Sequence, residues 1–108
     1  MSSEAVSFGA AVRGVSSEVA AAHRLPWRYG VEVGPVRDGT PAAEAGIRPG
    51  DVITQIGPYT LDGGAEQFRI AIAARRPGDT MALTVRREGE DLSVTVEFPR
   101  TATEAAAP

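Results

Sequence analysis

A single histidine, His23, and no cysteine leave this 108-residue chain few ways to make or break a covalent bond. A serine nucleophile needs a His to move its proton and a carboxylate to orient that His. Here His23 lies in the Ala-rich run "SEVAAAHRL", no Gly-x-Ser-x-Gly elbow is present, and the chain is too short for a protease fold. Without Cys there is neither a disulfide framework nor a thiolate, and one His makes a structural zinc site an unpromising reading. Catalysis, metals and cofactors are therefore not expected. The formal net charge is −3, from 11 basic against 14 acidic residues, and the basic ones are scattered apart from Arg75-Arg76 and Arg86-Arg87. Binding to nucleic acid requires a basic face, so no nucleic-acid partner is expected. No apolar run approaches the roughly 18 residues that span a bilayer, which predicts a soluble domain with no membrane insertion. What remains is recognition by backbone and apolar surface, and the helix "AEQFRIAIAARR" is the first place to look. Phe68, Ala71, Ile72 and Arg75 share one face, while Ile70 and Ala73 lie on another. That surface is wider than one stripe needs, so the helix can pack on a core and still face a groove.

Such a groove must be held by other elements. "TPAAEAGIRPGDVITQIG", Thr40 to Gly57, reads as helix, turn and strand: Thr40 suits an N-cap, Pro41 the first helical position, and Gly46 the left-handed residue closing the helix. Pro49-Gly50 fits the centre of a type II turn, and "DVITQI" is a β-branched strand. "YGVEVGPV" is a strand leading to the "RDGT" turn. "MALTVRR" and "LSVTVEF" form a hairpin across "EGED", with Met81, Leu83 and Val85 on one face of the first and Leu92, Val94 and Val96 on one face of the second. "FGAAVRGV", Phe8 to Val15, predicts a strand, and a helix follows from Ser16 or Ser17. His23 reads as a partly exposed helix residue, and Trp27 and Tyr29 as a cover for one end of the core. No internal repeat is seen. Five or six strands with one main helix and one or two short ones indicate the α+β class, as a small, partly open β-barrel or sandwich. Residues 1–5 are expected to be a disordered segment, and the Ala/Thr/Pro stretch 100–108 a disordered tail or linker.

"GVEVGPVRDGTPAAEAGIRPGDVITQI" resembles the central segment of PDZ domains, and the order of parts is similar to the bacterial HtrA/DegP type. There the chain begins at a carboxylate-binding loop, here "SFGA", continues through a short helix, here "SSEVAAAHRL", and ends with a strand that other PDZ domains place first, here "LSVTVEF". The resemblance covers nearly the whole ordered chain, which places the domain at residues 6–99. It implies capture of an extended peptide, usually a free C-terminus of a peptide or unfolded protein, as an added strand beside the main helix. The implied contacts are Ser7, Phe8, Gly9, Ala10, Ala11 and Val12 on the loop and first strand, with Phe68, Ala71, Ile72 and Arg75 on the helix. The carboxylate would meet N–H groups of Phe8, Gly9 and Ala10, with Gly9 permitting the bend.

Three departures from the family pattern stand out. Gly57-Pro58 replaces the usual Asn-Gly turn, Ala10 replaces a larger apolar residue and should widen the terminal pocket, and Arg75 stands where an apolar residue is usual. Arg75 is accordingly a candidate for reaching the ligand carboxylate or an acidic peptide residue. The resemblance further implies a parent HtrA-like serine protease of the cell envelope or periplasm, with its catalytic domain outside this chain and the isolated module monomeric. Alternative settings are a site-2 metalloprotease, a C-terminal processing protease, a secretion component, or a structural domain whose groove is filled by its own chain.

Overall fold

The computed structural model describes residues 8–25 and 29–98, so Ser7 and Trp27 lie outside the described residues. Strands β1 (Ala10–Gly14), β2 (Val31–Val36), β3 (Val52–Ile56), β4 (Tyr59–Thr60), β5 (Thr80–Arg87) and β6 (Glu90–Glu97) form one six-stranded sheet, and every pairing is antiparallel. The order is β1-β2-β3-β5-β6, with β4 paired to the far end of β3 on the edge where β2 pairs its beginning. The sheet is open, because β1 and β6 end the row without joining. Among the described residues three helices accompany it: α1 (Ser17–Ala22), α2 (Pro41–Glu44) and α3 (Gly64–Ala73). This is the α+β architecture expected from the sequence.

Local chemistry sets most boundaries. Thr40 caps α2 by accepting from the Ala43 N–H, and Pro41 occupies the first turn. The helix closes with paired bonds from Gly46 N–H to Ala43 O and from Ile47 N–H to Ala42 O, with Gly46 at φ +88°. This Schellman arrangement brings buried Ile47 back over buried Ala42. The helix α1 ends the same way, Arg24 N–H to Ala21 O and Leu25 N–H to Ala20 O, although the left-handed residue is Arg24 at φ +59°. The helix therefore stops at Ala22, short of the "HRL" included by sequence, and His23 is its C-cap. Gly9, at φ +93°, likewise delays β1 to Ala10.

The tetrapeptide Arg-Pro-Gly-Asp occurs twice, at 48–51 and 76–79, and folds identically. In each turn the Asp N–H donates to the Arg carbonyl while the Arg N–H donates to the Asp side chain, at 2.9 Å for Asp51 and 2.8 Å for Asp79. The fates of the two acids then diverge. Asp51 is buried and takes a two-pronged ion pair from Arg87, Nε to Oδ1 at 2.8 Å and Nη2 to Oδ2 at 2.7 Å, tying the turn to β5. The hydrogen bond to Asp51 raises the Arg87 pKa above its ordinary value, against an opposing desolvation.

The main core lies on one face of the sheet, with Val31, Val33, Ile53, Leu83, Val85 and Val96 packed under Phe8, Phe68 and Phe98. A smaller cluster of Val15, Ala20, Leu25 and Val52 seats α1 on the other face, with Tyr29 packed against it. Neighbours Val52 and Ile53 on β3 thus serve opposite faces, as strand alternation dictates. On β2 the pairing with β1 shifts by one residue between Ala10 and Val12, a bulge that falls on Gly34-Pro35. Proline lacks the N–H a regular ladder needs, and a bulge is where a strand can hold it.

Candidate functional site

The terminal strand β1 pairs only with β2, so its outer edge has no strand partner among the described residues. Helix α3 stands beside that edge, and the groove between them holds about 420 Å³, lined by Phe8, Ala10, Ala11, Val12, Phe68, Arg69, Ile72 and Ala73. Ala10 and Val12 face inward, half-buried, while Ala11 and Arg13 are exposed. The floor is the ring pair of Phe8 and Phe68, centroids 5.1 Å apart and inclined at 75°, an edge-to-face contact. Both rings are buried, so each is core and groove floor at once.

The direction of α3 follows from its ends. Ahead of it, Leu61 O accepts from Gly30 N–H at 2.7 Å, next to Val31, which pairs with Gly14 at the far end of β1. Behind it, Gly78 N–H donates to Phe98 O, just past the end of β6. The helix therefore starts at the Gly14 end of β1, and its later residues Ile72 and Ala73 line the groove with Phe8 and Ala10.

At the loop end, α2 and the turn before it grip the backbone from behind. Ala42 N–H, otherwise an unpaired donor of the first helical turn, bonds Phe8 O at 3.0 Å, and Arg37 N–H bonds Gly9 O at 3.0 Å. A trans peptide points its N–H opposite its C=O, and no cis bond occurs among the described residues. The N–H groups of Gly9 and Ala10 are thus turned away from these partners, and Gly9 N–H finds no acceptor among the described residues. Successive N–H groups presented this way make an anion-binding concavity. Thr40 also fixes the loop sterically: a β-carbon at Gly9 would overlap the Thr40 side chain, and φ +93° disfavours one in any case. Thr40 Oγ1 is itself held by a 2.7 Å bond to Arg37 O.

Phe8, Ala10, Ala11, Val12, Phe68 and Ile72 of the sequence expectation line the groove, and Gly9 sits in its loop. Ala71 packs on the core instead, and Arg75 turns its Nε back to Ala71 O at 3.2 Å. Arg69 and Ala73, which the sequence reading did not select, take their places. The face toward the groove is Phe68, Arg69, Ile72 and Ala73, rotated from the 68/71/72/75 stripe. A charged residue beside a small one carries no apolar signal, and only the i, i+3, i+4 relation of Arg69 to Ile72 and Ala73 hints at it.

A family profile described as PDZ domain matches residues 6–98. The chain is 36% identical over 91 residues to a probable periplasmic serine endoprotease DegP-like of Brucella suis, an alignment covering 82% of this chain and 18% of that protein. It is 30% identical to the periplasmic pH-dependent serine endoprotease DegQ of Escherichia coli, over 98% of this chain and 25% of that protein. The chain thus spans about a fifth of the length of the curated relatives it matches. Among solved structures, an HtrA-type protease AlgW with decapeptide superposes with a TM-score of 0.71 at 30% identity, over 87% of this chain and 29% of that one. The HtrA3 PDZ domain bound to a phage-derived ligand shares the fold, with a TM-score of 0.70 at 22% identity, over 86% of this chain and 84% of that one.

Proposed function

The chain belongs to the PDZ domain family, and we propose that it captures extended peptides with a hydrophobic last residue and a free carboxylate, adding them as a strand to the open edge of β1. The observation that carries this reading is the loop Phe8-Gly9-Ala10, whose Gly9 and Ala10 N–H groups are turned outward by carbonyls held from behind. The ligand carboxylate would settle on the N–H groups of Phe8, Gly9 and Ala10. The ligand strand would pair along Gly9 to Arg13, and its last side chain would lie between Ala10, Ile72 and Ala73 above the two Phe rings. Small Ala10 and Ala73 leave room there for a large aliphatic or aromatic end.

The names of the relatives support a setting as well. We read the chain as the substrate-recognition or regulatory module of an HtrA-like serine endoprotease of the cell envelope, non-catalytic itself. A lone groove burying few side chains supports micromolar affinity, about −8 kcal/mol or weaker. The test is a residue-resolved NMR titration with hydrophobic-ended peptides, in free-acid and amidated forms. Saturable shifts centred on residues 8–12 and 68–73, lost on amidation, are expected. Equal binding of both forms, or shifts confined to other faces, would reject the reading.

A further inference from the structure

We infer that the second Arg-Pro-Gly-Asp turn, at 76–79, is a docking point for an arginine side chain of another protein, separate from the peptide groove. The first turn shows within the chain how such an arginine is held. Each turn follows a helix and opens a strand: α2 leads through 48–51 to β3, and α3 leads through 76–79 to β5. Each is also locked to a neighbouring segment by the same two bonds. Gly50 N–H donates to Val33 O while Asp51 O accepts from Val33 N–H; Gly78 N–H donates to Phe98 O while Asp79 O accepts from Phe98 N–H. Because the same backbone groups are used, each Asp meets this neighbour on the same side and leaves the same opposite side for its carboxylate.

The opposite sides differ. Next to Asp51, the β3–β5 ladder continues past the Val52–Arg86 pair and sets Arg87 across from it. Arg87 forks onto both Asp51 oxygens, and its Nη2 also bonds Gly46 O, two residues ahead of the turn. Next to Asp79, that ladder has already ended: Gly57 N–H bonds Ala82 O, and β4 folds back with Tyr59 across from Ile56. No described strand stands there, and the half-buried Asp79 side chain accepts only the Arg76 N–H among the described residues. Arg76 is not its cation. It holds the place of Arg48, which gives Asp51 its N–H and forms no ion pair with it. Arg75 is turned to Ala71 O. The counterpart of Gly46 is Ala74, an exposed residue whose carbonyl ends α3, and that helix has no basic residue in its last turn. A helix C-terminus favours a cation. A guanidinium from outside thus meets the acceptors that hold Arg87: two carboxylate oxygens and a carbonyl at a helix end. Lysine, a point charge, cannot fork across them.

The experiment is a residue-resolved NMR titration at low salt with acetyl-Thr-Arg-Thr-amide and acetyl-Thr-Lys-Thr-amide, neither of which has a free carboxylate for the Phe8 loop. The Arg tripeptide should shift the amides of residues 74–80 saturably and bind about three- to tenfold more tightly than the Lys tripeptide. Residues 46–51 should stay unshifted, because Arg87 already holds that turn. Asp79→Asn keeps an oxygen for the Arg76 N–H; it should remove the preference for Arg while leaving the melting temperature and the binding of hydrophobic-ended peptides unchanged. Equal binding of the two tripeptides, a preference that survives Asp79→Asn, no saturable shift at 74–80, or shifts centred on 8–12 would each overturn the docking point. None of these results bears on strand addition to β1, which the free-acid and amidated peptides test separately.

Discussion

Replacing Arg87 by Ala should be among the most damaging single changes outside the hydrophobic core. The Asp51 side chain is 2% exposed and accepts three hydrogen bonds, two from Arg87 and one from Arg48 N–H at 2.9 Å. Arg87→Ala removes two of them and strands a buried carboxylate, a loss of about 3–5 kcal/mol. It also frees Gly46 O, which accepts from Arg87 Nη2 at 2.8 Å. A small domain is stable by only about 5–15 kcal/mol, so the variant sits near the edge of folding. With a urea dependence of about 1.5 kcal/mol per M, the unfolding midpoint should fall by about 2–3 M, read by far-UV circular dichroism. Arg13→Ala is the control, because the Arg13 side chain is 78% exposed and its pair with Glu32 is worth under about 1 kcal/mol. Adding Asp51→Asn to Arg87→Ala should recover part of the loss by removing the unpaired charge. A midpoint shift no larger than that of Arg13→Ala, or a double variant less stable than Arg87→Ala alone, would refute this account.

Gly9→Ala combines backbone strain with overlap on Thr40 and should cost more than about 2 kcal/mol, whereas Gly50→Ala, at φ +92° with open space around it, should cost about 1–2; thermal unfolding compares them. Gly9→Ala should also lower peptide affinity at least tenfold, while Gly50→Ala leaves it unchanged, as calorimetric titration would reveal. Ala73→Phe fills the groove from an exposed position and should cut peptide affinity about tenfold with little change in melting temperature.

The elements easiest to read were those built by near neighbours in sequence. Thr40, Pro41 and Gly46 delimit α2, each Arg-Pro-Gly-Asp closes its own turn, and the two residues Glu88-Gly89, both at positive φ, join β5 to β6. The end of α1 was misjudged because Arg24, not a glycine, takes the left-handed position. The groove-lining face of α3 differs from the 68/71/72/75 stripe because that helix has apolar residues nearly all round, and only packing against β1 decides which side is left open. The Asp51–Arg87 pair was invisible for a different reason. Its members are 36 positions apart, and nothing local to either announces the other. Pro35 was a missed clue, since a proline within a strand pattern is itself a sign of a bulge.

The unpaired edge of β1 has one more consequence. Sheet edges ordinarily recruit other edges, and proteins must guard against indiscriminate association of that kind. The opposite end of the sheet lies against α2. At β1 the guard stands off instead: α3 runs alongside across a groove of about 420 Å³. Under the proposed strand addition the groove would act as a gauge, admitting a polypeptide only once it is unravelled, before any side chain is inspected.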